Sequence, residues 1–398
     1  MTQNKHVFIC LLFLFTAANF LTAQQKPRLV LGAEQIDTIV NLVKDRPVAL
    51  VVNQTSVLEN AQQVHLLDTL LGRGIAVKKV FVPEHGFRGT SEAGEDVKDS
   101  RDRKTGIPIL SIYGRNKKPT AGQLRDVDVL IFDIQDVGVR FYTYISTMHY
   151  VMEACAENAK ECIVLDRPNP NDFVDGPMRK EGFESFVGLD PIPVLHGLTV
   201  GELARMINGE RWLKSRPDTC RLRVVALKNW RHGDPYWLPV RPSPNLPNDQ
   251  AMRLYPSLGW FEATHVSIGR GTYFPFQVIG YPDKAFGSFS FTPGSIPGMD
   301  ANPLQKDKKC FGLDLREYPF EGGLTLRFFL DFYEKAGSNP SFFARPEWFD
   351  LLAGNRELRA YITAGLSEQE IRLLWQDDLE SYKTLRLKYL LYPDYDGE

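Results

Sequence analysis

The sequence predicts an α/β fold, a parallel sheet with helices on both faces. Two observations predict it. Five short β-branched or aliphatic runs alternate with amphipathic stretches through the first half of the chain, and every run ends in polar punctuation. Parallel strands need a crossover between them, and a helix is the usual one.

The elements follow in order. Val48–Val52 ends in Asn53-Gln54-Thr55, and Val77–Val82 ends in Pro83-Glu84-His85-Gly86. Ile109–Ile112 runs into Tyr113-Gly114, and Val127–Ile134 into Gln135-Asp136-Val137-Gly138. Ile163–Leu165 ends in Asp166-Arg167-Pro168-Asn169-Pro170. Helices are expected at Glu34–Val43, Val64–Arg73, Thr120–Arg125 and Ile145–Asn158, where apolar residues recur at helical spacing. No G-x-G-x-x-G follows the first strand, which argues against a dinucleotide site.

The second half differs in texture. Prolines crowd Pro235 to Pro256, short strands are expected at His265–Ile268 and Phe276–Ile279, and the tail reads as helical. Its helices are expected at Thr325–Glu334, Pro346–Leu352 and Ser367–Tyr389, the last opened by a capping box of Ser367 and Glu370. A division is expected between residues 210 and 220. It gives a first domain over 24–212 and a second over 213–398.

Composition bounds the function. Of 398 residues, 43 % are hydrophobic and 24 % charged, which excludes a disordered chain. Lys and Arg number 47 against 49 Asp and Glu, a net charge of -2. That balance argues against a broad nucleic-acid or anionic-membrane footprint. Lys5 and His6 precede an apolar run from Val7 to Phe15, and Leu21-Thr22-Ala23 supplies a small residue before Gln24. Residues 1–23 therefore read as a secretory signal, with a product that is periplasmic or secreted and not inserted in a membrane. Beyond it lie Cys155, Cys162, Cys220 and Cys310, spaced for no zinc pattern. No metal and no cofactor are expected.

In an open parallel sheet, ligands bind outside the carboxyl ends of the strands. The polar clusters sit at those ends. Glu84, His85 and Arg88 fall within five positions, flanked by Gly86 and Gly89, and a carboxylate beside a histidine can serve as general acid or base. Equally, such a glutamate can cap a helix. Asp133 and Gln135 share a face by alternation, with Asp136, Arg140, Tyr142 and Thr143 beyond. An Asp133–Arg140 pair is the structural alternative. Asp166, Arg167 and Asn169 occupy a proline-stiffened loop, and His196 adds a further rim or core histidine. Trp237 and the Pro242–Asn245 segment read as a stiff wall with an indole, a platform for a sugar. Glu262 follows Trp260 and Phe261, apolar surroundings that raise a carboxyl pKa. Arg270, between Gly269 and Gly271, suits a bidentate grip on a carboxylate. There is no H-E-x-x-H, Walker or G-x-S-x-G sequence.

Eight blocks carry a resemblance. They are Pro83–Gly89, Ala93–Glu95, Phe132–Thr147, Val164–Pro170, Asp175–Pro177, His196–Leu203, Pro242–Pro247 and Ser267–Thr272. In that order they resemble the NamZ-like exo-β-N-acetylmuramidases. The resemblance implies a Rossmann-like N-terminal domain, a smaller α+β C-terminal domain and an active-site cleft between them. It implies removal of terminal β-1,4-linked N-acetylmuramic acid from peptidoglycan-derived saccharides or muropeptides, in cell-wall recycling. One departure stands at Glu262-Ala263-Thr264-His265, where that family tends to read E-G-T-N.

Glycoside hydrolysis in most families needs two carboxyl groups. Glu84 is the leading candidate, tuned by His85, with Glu262, Asp133 or Asp166 as the second. Arg88, Arg140 or Arg270 is expected to hold the lactyl carboxylate of muramic acid. Asn53, Gln135, Tyr142, Arg167, Asn169, His196 and Asn245 complete the expected substrate contacts. The rival reading is a periplasmic muropeptide-binding module without catalysis. It would show a polar cleft lacking a carboxylate pair.

Overall fold

The computed structural model describes residues 27–59, 62–84, 86–87 and 99–395. The expected signal segment, His85 and Arg88 lie outside the described residues.

The main sheet has seven strands: β1 Val48–Val52, β2 Val77–Val82, β3 Ser100–Arg101, β4 Pro108–Ser111, β5 Val129–Asp133, β6 Glu161–Leu165 and, further on, Arg221–Val225. Between the last two come β7 Val174–Met178 and β8 Pro193–His196, an antiparallel pair, so Arg221–Val225 is β9. The sheet order is β3-β4-β2-β1-β5-β6-β9, parallel except for the short edge strand β3. Counting only the parallel strands in chain order, this is 3-2-1-4-5-6, the Rossmann order. The direction of winding reverses between β1 and β5.

Alternation explains why the strands read as continuous apolar runs. Val48, Leu50 and Val52 of β1 and Val129 and Ile131 of β5 face one apolar layer; Ala49, Val51, Leu130 and Phe132 face the other. A sheet covered on both faces leaves no polar side. Helices α1 (Ile36–Val43) and α2 (Leu66–Gly72) cover the first face. Helices α3 (Tyr144–Glu157) and α4 (Val200–Gly209) cover the second. That second layer continues without a break into the C-terminal half, through Phe328, Phe329, Phe332 and Phe349.

The C-terminal half opens with α5 (Asp249–Leu258) and a small antiparallel sheet of β10 (Val278–Tyr281), β11 (Phe289–Phe291) and β12 (Cys310–Asp314). Five helices follow: α6 Arg327–Lys335, α7 Pro346–Ala353, α8 Glu357–Thr363, α9 Glu368–Leu374 and α10 Gln376–Arg386.

Four expectations need correction. His265–Ile268 is no strand; within it only Ser267 forms a bridge, to Gly280. Thr120–Arg125 forms turns and no helix, since Thr120 and Gln123 bond each other locally and six residues are too few to nucleate one. The expected helix Ser367–Tyr389 is two, α9 and α10, separated at Trp375, although the Ser367–Glu370 capping box is present. A division after residue 212 cuts β9 from its sheet, because β9 pairs with β6 over its full length. Among the described residues no helix is long and apolar enough to cross a membrane.

Candidate active site

A cleft of about 730 Å³ opens at the carboxyl edge of the sheet. One wall comes from loops leaving neighbouring strands: Glu84 after β2, Tyr113 and Lys117 after β4, and Tyr142 and Thr143 after β5. The other comes from the C-terminal half: Tyr255 on α5, Glu262 in the turn after it, Arg270, and Arg345 and Trp348 at the start of α7. Topology thus supplies one wall and the second half supplies the other.

Glu84 is half-buried, and its Oε2 accepts from the Thr143 hydroxyl at 3.1 Å. Thr143 stands at the N-terminal end of α3, where the helix dipole also favours a negative charge. Glu262 belongs to the short helical turn Gly259–Ala263. Its Oε1 meets Nη2 of Arg270 at 2.6 Å, and Arg345 donates to its backbone carbonyl. Arg270 is aimed by its neighbours. Gly269 and Gly271 adopt φ of +79° and +78°, and a Cβ at Gly271 would come 2.5 Å from the Gly294 carbonyl oxygen. The guanidinium also lies 5.2 Å from the centre of the Phe276 ring. The carboxylate at 262 therefore faces a cation, where the sequence predicted apolar surroundings.

Tyr255 links the two acids. Burial chiefly, and then the charges of Glu262 and Glu84, hold its ionisation well above the ordinary tyrosine value, with Arg270 opposing. Glu84, Tyr255 and Glu262 line the same cleft. The Tyr255 ring belongs to an aromatic floor, edge-on to Phe141 at 5.2 Å, to Tyr142 at 5.9 Å and to Phe276 at 5.0 Å. Asp136, in the loop after β5, is buried and does not line the cleft. One of its oxygens accepts from Gly138 N at 2.7 Å; the other is buried with no hydrogen-bond partner. Burial pushes its pKa up to about 7. The Tyr142 hydroxyl and Asn245 Oδ1 are likewise buried without partners.

Of the expected residues, Glu84, Glu262, Tyr142, Asn245 and Arg270 come together in this cleft. Among the described residues, the other expected ones do not line it. Asp133 is fully buried and grips Arg167 through two bonds, at 2.6 and 3.1 Å. Its ion partner is thus Arg167, and not Arg140 as the structural alternative had it. Asp166 accepts from Arg167 N, Thr199 Oγ1, Gly201 N and Tyr392 OH, tying β6 to α4 and the C-terminus. Arg140 is enclosed by the carbonyls of Pro177, Ile192 and Leu352. Gln135 bonds the carbonyls of Asp136 and Pro168. Asn169 bonds Leu198 O and Asn171 N, and fills the space at Gly138. Asn53 Oδ1 caps Thr55. Burial drives His196 down to about 3, a neutral ring whose Nδ1 accepts from Leu198 N. These groups satisfy the buried backbone of the strand-end loops, a requirement that sequence clustering cannot tell from a site. Trp237 is 59 % exposed and also stands outside the cleft lining.

Sequence reasoning missed Lys117, Tyr255, Phe186, Arg345 and Trp348, all of which line the cleft. Only Lys117 had a signal, its position just past a strand end. A larger cavity of about 980 Å³ lies between the 169–175 segment and α10, and among the described expected residues Asn169 alone reaches it. Among the described residues no group of three His, Cys, Asp or Glu side chains is placed to hold a metal ion.

Two carboxylates above an aromatic floor, at the carboxyl edge of a Rossmann-type sheet, are the build of a glycosidase. The comparisons agree. Residues 48–250 match the model of the exo-β-N-acetylmuramidase NamZ N-terminal domain, and residues 253–392 match that of its C-terminal domain. The chain belongs to the NamZ exo-β-N-acetylmuramidase family. It is 37 % identical to the peptidoglycan β-N-acetylmuramidase NamZ of Bacillus subtilis (strain 168), over 92 % of each chain. It is also similar to two crystal structures of DUF1343 family proteins from Bacteroides fragilis NCTC 9343. One has a TM-score of 0.84 at 43 % identity, covering 93 % of this chain and 100 % of the other. The second has a TM-score of 0.77 at 30 % identity, covering 92 % and 100 %.

Proposed function

We propose that this chain hydrolyses the β-1,4 bond of terminal N-acetylmuramic acid in peptidoglycan fragments, with Glu84 and Glu262 as its two carboxyl groups. The observation that carries the reading is that both acids line one cleft, from opposite walls. Family membership supplies the substrate class. A binding module has no need of a carboxylate pair, so the pair favours an enzyme.

The roles follow from surroundings. Glu84, held by Thr143 and half-buried, is placed to give a proton to the leaving oxygen and to recover it. Glu262, paired with Arg270 at 2.6 Å, suits the nucleophile, base or oxocarbenium-stabilising part. The aromatic floor offers a ring face to the sugar. Residues 1–23 would direct export, placing the enzyme in the periplasm or outside the cell, where cell-wall fragments are shed. Sequencing the N-terminus of the mature protein from cell fractions tests that part.

The test of activity is release of the chromophore from a chromogenic β-N-acetylmuraminide, with and without a chelator. Turnover that survives the chelator is expected. No turnover by the folded protein on this substrate, or on muramic-acid-ended peptidoglycan fragments, rejects the reading.

A further inference from the structure

Among the described residues three cations line the cleft: Lys117, Arg270 and Arg345. Arg270 is matched by Glu262 at 2.6 Å. Arg345 is exposed and commits a guanidinium N–H to the carbonyl of Glu262. Lys117 differs from both. It is half-buried, and no acid among the described residues pairs with it. Its Nζ rests 4.6 Å from the centre of the Phe186 ring. Phe186 in turn stacks on Tyr150, with ring centres 6.2 Å apart and planes 12° apart. A ring face steadies an ammonium without consuming its N–H donors, which stay open to an anion.

The adjacent residue shows how the loop is set. Lys118 turns to α3 and bonds Glu153 at 3.2 Å and Glu157 at 2.7 Å. One lysine anchors the loop on two acids, and its neighbour is presented to the cleft. The sheet then brings the loop of that neighbour alongside the loop of Glu84. β2 and β4 are adjacent parallel strands, with Val82 opposite Ser111, so the loops bearing Glu84 and Lys117 leave the same edge side by side. In muramic acid the lactyl ether sits on C3 of the ring whose C1–O bond is cut. The lactyl carboxylate therefore lies within one sugar ring of the bond that is cut, in reach of a cation in the same cleft as Glu84.

The geometry points to Lys117 as the residue that binds the lactyl carboxylate and so selects muramic acid over glucosamine. This rests on the muramidase reading above. Arg270 then serves Glu262 and leaves the substrate's anion alone. An ammonium–carboxylate hydrogen bond in a half-buried cleft accounts for a preference of about 10- to 100-fold.

Calorimetric titration tests it with free N-acetylmuramic acid, its lactyl methylamide and N-acetylglucosamine. Wild type should bind the acid about 10- to 100-fold more tightly than either neutral sugar. Lys117→Met should abolish that margin without changing the binding of N-acetylglucosamine, and Lys117→Arg should keep most of it. Equal binding of the acid and its methylamide by wild type overturns the inference, and that comparison needs no variant to fold. A margin that survives Lys117→Met but collapses in Arg345→Met also overturns it. Turnover of the chromogenic muraminide by wild type is scored separately, so loss of the enzyme reading and loss of this one remain distinguishable.

Discussion

Arg270 holds Glu262 at 2.6 Å from the wall built by the C-terminal half, while Glu84 leans on Thr143 from the wall built by the sheet. The two acids thus have different surroundings, one beside a fixed cation and one beside a neutral hydroxyl. Different environments are how a pair of carboxyl groups divides into acid and base roles.

Removing the Arg270 cation should therefore injure chemistry more than binding. Arg270→Met is expected to lower kcat by roughly 10- to 1000-fold, the range seen when a preorganised charge is lost from a site. Steady-state kinetics on the chromogenic muraminide decides it. An unchanged kcat with a raised KM would mean that Arg270 merely binds substrate.

Glu84→Gln should leave the fold intact and cut turnover by about 10²–10⁴-fold, the usual share of a general acid/base. Near-normal turnover in the folded variant would remove Glu84 from the mechanism. Thr143→Val should cost far less, roughly threefold to tenfold, since it deletes one neutral hydrogen bond.

Asp136 makes stability depend on pH. Unfolded, an aspartate titrates near 3.9; buried here, Asp136 titrates near 7. Between these values the folded state keeps a proton that the unfolded state has released. Stability contributed by this site should therefore fall as pH rises from about 4 to about 7, then stay level. Denaturant unfolding of wild type and Asp136→Asn should converge at low pH and separate towards neutrality, the variant being the more stable there. Parallel profiles would show that Asp136 is ionised throughout.

Arg167 is a structural cation. It neutralises Asp133 inside the sheet's carboxyl edge, where both side chains are almost inaccessible. Arg167→Met strands a buried charge and should destabilise by about 3–5 kcal/mol. Asp133→Asn with Arg167→Met together should recover part of that loss. A mild single-variant effect on urea unfolding would show that water reaches the pair.

Much of this fold was legible because both faces of the sheet are covered. The continuous apolar run Val48–Val52 matches its strand end to end, and Val77–Val82 does so too although Lys78 and Lys79 interrupt it. β9 was missed because Arg221 and Arg223 interrupt its pattern; it is the sheet's edge, and Arg223 meets Glu161 there. The site was half legible. Glu84, Glu262 and Arg270 were in view, but Asp133, Asp166 and Arg167 stand in the same kind of strand-end cluster and instead satisfy one another and the backbone. Which polar loop residues face inward is decided by partners distant in sequence, such as Tyr392 on Asp166. Tyr255 and Trp348 carried no signal, being ordinary aromatics until the C-terminal half folds over the sheet.

The apolar layer beneath α3 and α4 passes uninterrupted into Phe329 and Phe349. Two halves joined by such a layer cannot swing apart without wetting it, so access to the cleft has to come from its loops and not from a hinge between rigid bodies. The same continuity makes the halves thermodynamically inseparable. Heat should melt them in a single cooperative transition, and the sheet half expressed alone would emerge with an oily flank, prone to self-association.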